Sequence, residues 1–118
     1  MDIRDLLLKN VMIMDLKGTS KEAVIDEMVA KYHAEGIVTD ENEYRQDILK
    51  REAESTTGIG EGIAMPHAKD SAVTRATVLF AKSDQGVDFN ALDGQPVHLF
   101  FMIAAPEGAN NDHLAALA

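Results

Sequence analysis

The run V-H-L-F-F-M-I-A-A, Val97 to Ala105, constrains this chain more than any other stretch. It is far shorter than the roughly 20 apolar residues that span a bilayer, and its β-branched and aromatic content reads as a strand. A strand that is apolar at nearly every position is buried on both faces, so it needs packed layers around it. Asp93-Gly94, just before it, is a tight-turn signal. Two further runs read as strands: A-T-V-L-F-A from Ala76 to Ala81, and V-M-I-M-D-L from Val11 to Leu16, closed by Lys17-Gly18.

Helical signals alternate with these strands. Thr19 and Glu22 are spaced as a capping box, Ile25, Met28, Val29 and Tyr32 fall on one face, and Gly36 stands where a helix-ending glycine belongs. Asp40 and Glu43 repeat the capping-box spacing. The following segment, Glu41 to Ala53, gathers Tyr44, Ile48 and Leu49 on one side with charges elsewhere. The predicted fold class is α/β, a mixed β-sheet sandwiched by helices. Its 118 residues, 46% of them apolar, suit a single compact domain over 1–118. From Asn110 the sequence N-N-D-H-L-A-A-L-A begins a helix and stops. So short a helix falls below the roughly 12–15 residues that are marginally stable alone, so we expect a chain cut short of its usual C-terminal helical segment.

Charge and composition narrow the function classes. With 20 acidic against 11 basic residues the formal net charge is −9, which argues against nucleic acid or an anionic membrane surface and suits a basic protein partner. The chain has no cysteine, so neither disulfides nor thiolate metal sites are expected. Its start, Met1 to Leu8, carries Asp2, Arg4 and Asp5 where a signal peptide would be apolar. A cytoplasmic setting is expected.

The candidate site lies in T-G-I-G-E-G-I-A-M-P-H-A, Thr57 to Ala68. Glycines at 58, 60 and 62 permit positive φ and close backbone approach, and consecutive amides in such a turn can form an anion-binding concavity. No Gly-Lys-Ser/Thr follows, and the spacing is wrong for a dinucleotide fingerprint. Ile63-Ala64-Met65 has room only for a strand fragment, and Pro66 removes a ladder donor, so His67 is expected at a strand end facing solvent or a cleft. On these residues alone, His67 is either an ordinary loop imidazole or a nucleophile.

The stretch R-E-A-E-S-T-T-G-I-G-E-G-I-A-M-P-H-A from Arg51, together with P-E-G-A-N-N-D-H-L-A-A-L from Pro106, resembles the IIA domain of the fructose/mannitol class of the bacterial phosphoenolpyruvate-dependent sugar phosphotransferase system. The details are most like the fructose type. The resemblance implies that His67 accepts a phosphoryl group from the phosphocarrier protein HPr and passes it to a IIB domain, coupled to a membrane IIC transporter that this domain does not itself contact. It implies catalytic roles for His67 and His113, the latter at a helix start after Asn110 to Asp112. It also implies phosphate-stabilising roles for Arg51 and Thr57, and neither cofactor nor metal. His33 and His98 are expected to be structural. Three other readings stand beside it. One is a nitrogen-related regulatory paralogue within the same family. Another is a purely regulatory binding domain, in which a phosphate on His67 only changes partner choice by its charge. The third is a metal-binding hydrolase or metal-binding module using His67 and His113 with a carboxylate such as Asp112 or Glu61.

Overall fold

A computed structural model of the chain describes residues 7–107, with side chains from residue 11 onward. Its elements are β1 (Leu7–Ile13), α1 (Lys21–Ala34), α2 (Glu41–Glu54), β2 (Gly58–Gly60), β3 (Ile63–Ala64), β4 (His67–Asp70), β5 (Thr77–Val87) and β6 (Val97–Pro106). They form one six-stranded mixed sheet in the order β1-β5-β6-β3-β2, with β4 also paired to β6. β1 is parallel to β5, β5 antiparallel to β6, and both β3 and β4 parallel to β6. The predicted C-terminal helix and His113 lie outside the described residues.

Both helices start on side-chain caps. Asp40 accepts from the Glu43 N–H at 3.1 Å, as its spacing predicts. For α1 the cap is Ser20, which accepts from Ala23 N–H at 3.2 Å. The Thr19–Glu22 box is therefore off by one residue, and Glu22 serves instead as an acidic first-turn group near the positive end of the helix dipole. Gly36 ends α1 at φ +76, a conformation other residues resist.

The core lies on one face of the sheet. Val24, Ile25, Met28, Val29 and Tyr32 of α1 and Tyr44 and Ile48 of α2 share a cluster with Leu79 and Ala81 of β5 and Phe100, Met102 and Ala104 of β6. Because strand side chains alternate, Val78 and Ile103 point the other way and form a smaller cluster with Met65, Ala76 and Phe101. Tyr32 carries its hydroxyl into the core and donates it to the carbonyls of Thr77 and Met102, joining α1 to both central strands.

Burial on both faces holds for Met102 to Ala105, while His98 is exposed and Leu99 half-buried. The β5 strand runs well past Ala81, because its polar end, Lys82 to Val87, pairs with the start of β6 through an irregular register.

Where α2 meets β4, three carboxyls crowd together. Asp70 of β4 is buried and accepts from the Ala72 N–H at 2.7 Å. Burial works against its charge, but hydrogen bonds from Asp47, Glu43 and that amide hold its pKa below the usual value. Asp47 on α2 moves the other way, to about 6, chiefly because its protonated form hydrogen-bonds Asp70, with desolvation and repulsion adding to the shift. A carboxyl whose pKa rises on folding favours the folded state when protonated and loses that contribution as pH climbs through its folded value. Asp47→Asn should therefore be more stable than the parent at pH 7.5, with the gap closing by pH 5. Paired thermal melts at the two pH values check this; an unchanging gap would mean that Asp47 does not take up the proton.

Candidate functional site

β3 and β4 are two halves of one interrupted strand. Ile63 pairs with Leu99 and Ala64 with Phe100, and after the break His67 pairs with Ile103, so the register is the same on both sides. The interruption is Met65-Pro66. Proline cannot donate to the ladder, and Ile103 N–H donates to the Pro66 carbonyl at 2.9 Å to resume the pairing. His67 thus opens β4 at a strand start, half-buried, on the sheet face opposite the helices.

Its ring is oriented locally. His67 Nδ1 lies 3.0 Å from the Met65 carbonyl oxygen. A carbonyl only accepts, so Nδ1 carries the proton and Nε2 keeps an unprotonated lone pair in the neutral ring.

A cleft of about 290 Å³ adjoins the imidazole, lined by Arg51, Thr56, Thr57, Ile59, Met65, His67 and Ile103. A second, of about 270 Å³, lies between His67 and the end of α2, lined by Asp47, Lys50, Arg51, Glu54, His67, Ala68 and Lys69. Three of the four predicted site residues, Arg51, Thr57 and His67, therefore meet in one cleft. Arg51, in the last turn of α2, donates from Nη1 to the Ser55 carbonyl at 2.9 Å. It caps its own helix while lining both clefts. Thr57 is buried and gives its hydroxyl proton to Glu52 Oε1.

The glycine segment is a hairpin. Glu61 and Gly62 form its two-residue tip, both at positive φ (58 and 78), the geometry of a type I′ turn. Gly58 packs so closely that a Cβ there would stand 2.9 Å from Ala91 Cα. An anion does sit at this turn, but it belongs to the chain. Asp93 accepts from the amides of Glu61 (2.9 Å) and Gln95 (3.0 Å), and these bonds lower its pKa. The sequence suggested turn amides free to bind an anion; the Glu61 amide is instead committed to Asp93. Glu61 stands at the hairpin tip, outside both clefts beside His67. Among the described residues no group of three or more His, Asp or Glu side chains is arranged to hold a metal ion.

His33 and His98 each place Nδ1 on a backbone carbonyl, Val38 at 3.0 Å and Ser83 at 2.9 Å, away from these clefts. Sequence reading missed Glu52 and Lys21. Glu52 is buried, and its Oε2 lies 2.9 Å from Lys21 Nζ, which in turn sits 4.7 Å over the Phe89 ring. Both had a signal: Glu52 continues the Tyr44–Ile48 stripe at the next helical repeat, and Lys21 is a cation in a first turn, against the helix dipole.

The interrupted strand thus brings a half-buried imidazole to a cleft shared with an arginine from a helix end, on an α/β scaffold. Residues 5–118 match the family model described as phosphoenolpyruvate-dependent sugar phosphotransferase system, EIIA 2, and the chain belongs to that family. It is 51% identical, over all 118 of its residues, to the fructose-specific EIIABC component of Bacillus subtilis (strain 168), and it spans 19% of that protein's length. The crystal structure of nitrogen regulatory protein IIA-Ntr from Neisseria meningitidis superposes with a TM-score of 0.86 at 30% identity, covering 96% of this chain and 77% of that one. A complex of enzyme IIAMTL and phosphorylated enzyme IIBMTL from Escherichia coli gives 0.78 at 28% identity, covering 95% and 78%. Among the described residues no helix is long and apolar enough to cross a membrane.

Proposed function

We propose that His67 is a phosphoryl carrier, accepting the group on Nε2 from an HPr-type phosphocarrier protein and passing it to a IIB domain in the cytoplasm. The observation that carries this reading is the bond from His67 Nδ1–H to the Met65 carbonyl, beside a cleft that also holds Arg51. The Nε2 lone pair attacks phosphorus in line, the donor's N–P bond breaks, and the donor ring recovers its electron pair. Positive charge develops on the His67 ring as the new bond forms, and the Met65 carbonyl faces it at Nδ1–H. Such transfer makes few covalent demands, so positioning and neutralising the phosphoryl oxygens are the protein's main contribution. Arg51 supplies a planar donor fork suited to those oxygens. His113 and Thr57 are proposed to assist, Thr57 when its hydroxyl leaves Glu52.

Fructose uptake is the role we favour, on the 51% identity to a fructose-specific component. The likeness to nitrogen regulatory IIA-Ntr supports a second reading, a regulatory phosphocarrier. Incubation with phosphoenolpyruvate, enzyme I and HPr should add one acid-labile phosphoryl group, read by intact mass. Its onward passage to a fructose-type IIB domain separates the two roles: transfer supports uptake, and retention on this chain supports regulation. No uptake by the folded chain overturns both.

A further inference from the structure

From the hydrogen bonds behind the cleft we infer that the ion pair between half-buried Lys21 and buried Glu52 is a positioning device that sets the orientation and tautomer of His67 through the backbone of Thr57 and Met65. As a statement about phosphoryl transfer, this rests on the reading of His67 as the phosphoryl carrier.

The path is continuous. Lys21 Nζ meets Glu52 Oε2 at 2.9 Å. The same carboxylate takes two bonds from Thr57, the backbone N–H on Oε2 at 3.2 Å and the hydroxyl on Oε1. Thr57 is thereby held at both its main chain and its side chain, and its carbonyl accepts the Met65 N–H at 3.1 Å. The Met65 carbonyl, one peptide further, accepts His67 Nδ1–H at 3.0 Å. Each step fixes the next acceptor, and the last acceptor decides which ring nitrogen carries the proton. On its other side the segment is pinned by Thr56, whose hydroxyl donates to the Phe89 carbonyl at 2.9 Å and accepts from Gly58 N–H at 3.0 Å.

The chemistry explains why a charged pair sits here. Glu52 is buried and does not line the cleft, so it is not placed to touch a phosphoryl group itself. A carboxylate offers two acceptor oxygens with no donor, which suits two donors on one residue. Glutamine in its place would turn an N–H₂ toward one of those donors or toward the Lys21 ammonium. A buried carboxylate without a partner is unfavourable, and Lys21 supplies the counter-charge from the first turn of α1. Lys21, over the Phe89 ring, is held against the same loop that Thr56 grips.

Glu52→Gln tests this, with Lys21→Met/Glu52→Gln as the variant that leaves no unpaired buried charge. Two readouts are taken on each: the His67 ring nitrogens by long-range ¹⁵N NMR, and the rate of phosphoryl uptake from phospho-HPr. We expect the neutral form of the parent's His67 ring to carry its proton on Nδ1. Both variants should lose that single tautomer and take up phosphate about tenfold or more slowly, in line with the cost of small misplacements at a reacting centre. His33 and His98, whose Nδ1 atoms rest on carbonyls outside this path, should keep their spectra. A folded variant with an unchanged His67 tautomer and an uptake rate within twofold of the parent overturns the inference. Equal disturbance of all three histidines also overturns it, since that signals a general structural role. If the parent takes up no phosphate while the His67 tautomer still responds to Glu52, the positioning device stands and the phosphocarrier reading falls.

Discussion

His67→Ala is expected to take up no phosphoryl group at all from phospho-HPr, while His98→Ala behaves as the parent. The magnitude follows from the kind of step proposed. A covalent carrier without its nucleophile has no atom on which to hold the group, so the loss is complete. The imidazole is half-buried at the start of β4, and removing it leaves the β4–β6 pairing, made by backbone, in place. The variant should therefore fold, and intact mass at neutral and acidic pH separates an acid-labile N–P bond from a stable ester. The His98 control is a fair one: its ring is exposed, its Nδ1 is held by the Ser83 carbonyl, and it stands against Gly86, outside the clefts. A phosphoryl group retained by His67→Ala would move the nucleophile elsewhere and sink the proposal.

The features of this site that sequence disclosed are those set by neighbours in the chain. Pro66 breaks the ladder wherever it stands in a strand, so His67 at a strand start was legible. The helix caps were legible to within one residue, because Ser20 and Thr19 are both competent caps and only packing chooses between them. What could not be read depends on partners far along the chain. The glycine turn's anion is Asp93, 32 residues after Glu61, and no local pattern links them. The polar half of β5, Lys82 to Val87, has no strand-like composition and is extended because it pairs with the start of β6. Glu52 is the intermediate case. Its helical spacing placed a carboxylate on the inward stripe of α2, but the partners that make burial tolerable, Lys21 and Thr57, come from two other segments.

Phe100→Ala should be the most damaging of the core truncations, costing about 3–5 kcal/mol and lowering the melting temperature by about 10 °C or more. The argument lies in its neighbours on the sheet. Phe100 is fully buried on the helix face, and the residues opposite it on the two flanking strands are both alanines, Ala81 of β5 and Ala64 of β3. Its ring fills the space that those small side chains leave, and it meets Phe89 edge to face at 5.4 Å. Truncation would set three alanines in a row across the sheet, so neither residue directly opposite has a side chain long enough to fill the gap. The cavity term should therefore add to the transfer term in full. Phe101, one residue on, gives the comparison. It points to the other face, is half-buried, and pairs with Phe80 at 5.3 Å, a large ring able to relax into the space. Phe101→Ala should cost clearly less, about 1–2 kcal/mol. Chemical denaturation of the two variants decides the matter. Equal losses would mean that the face carrying Met65, His67 and Ile103 is packed as tightly as the helix face, leaving the imidazole less open than the clefts beside it imply.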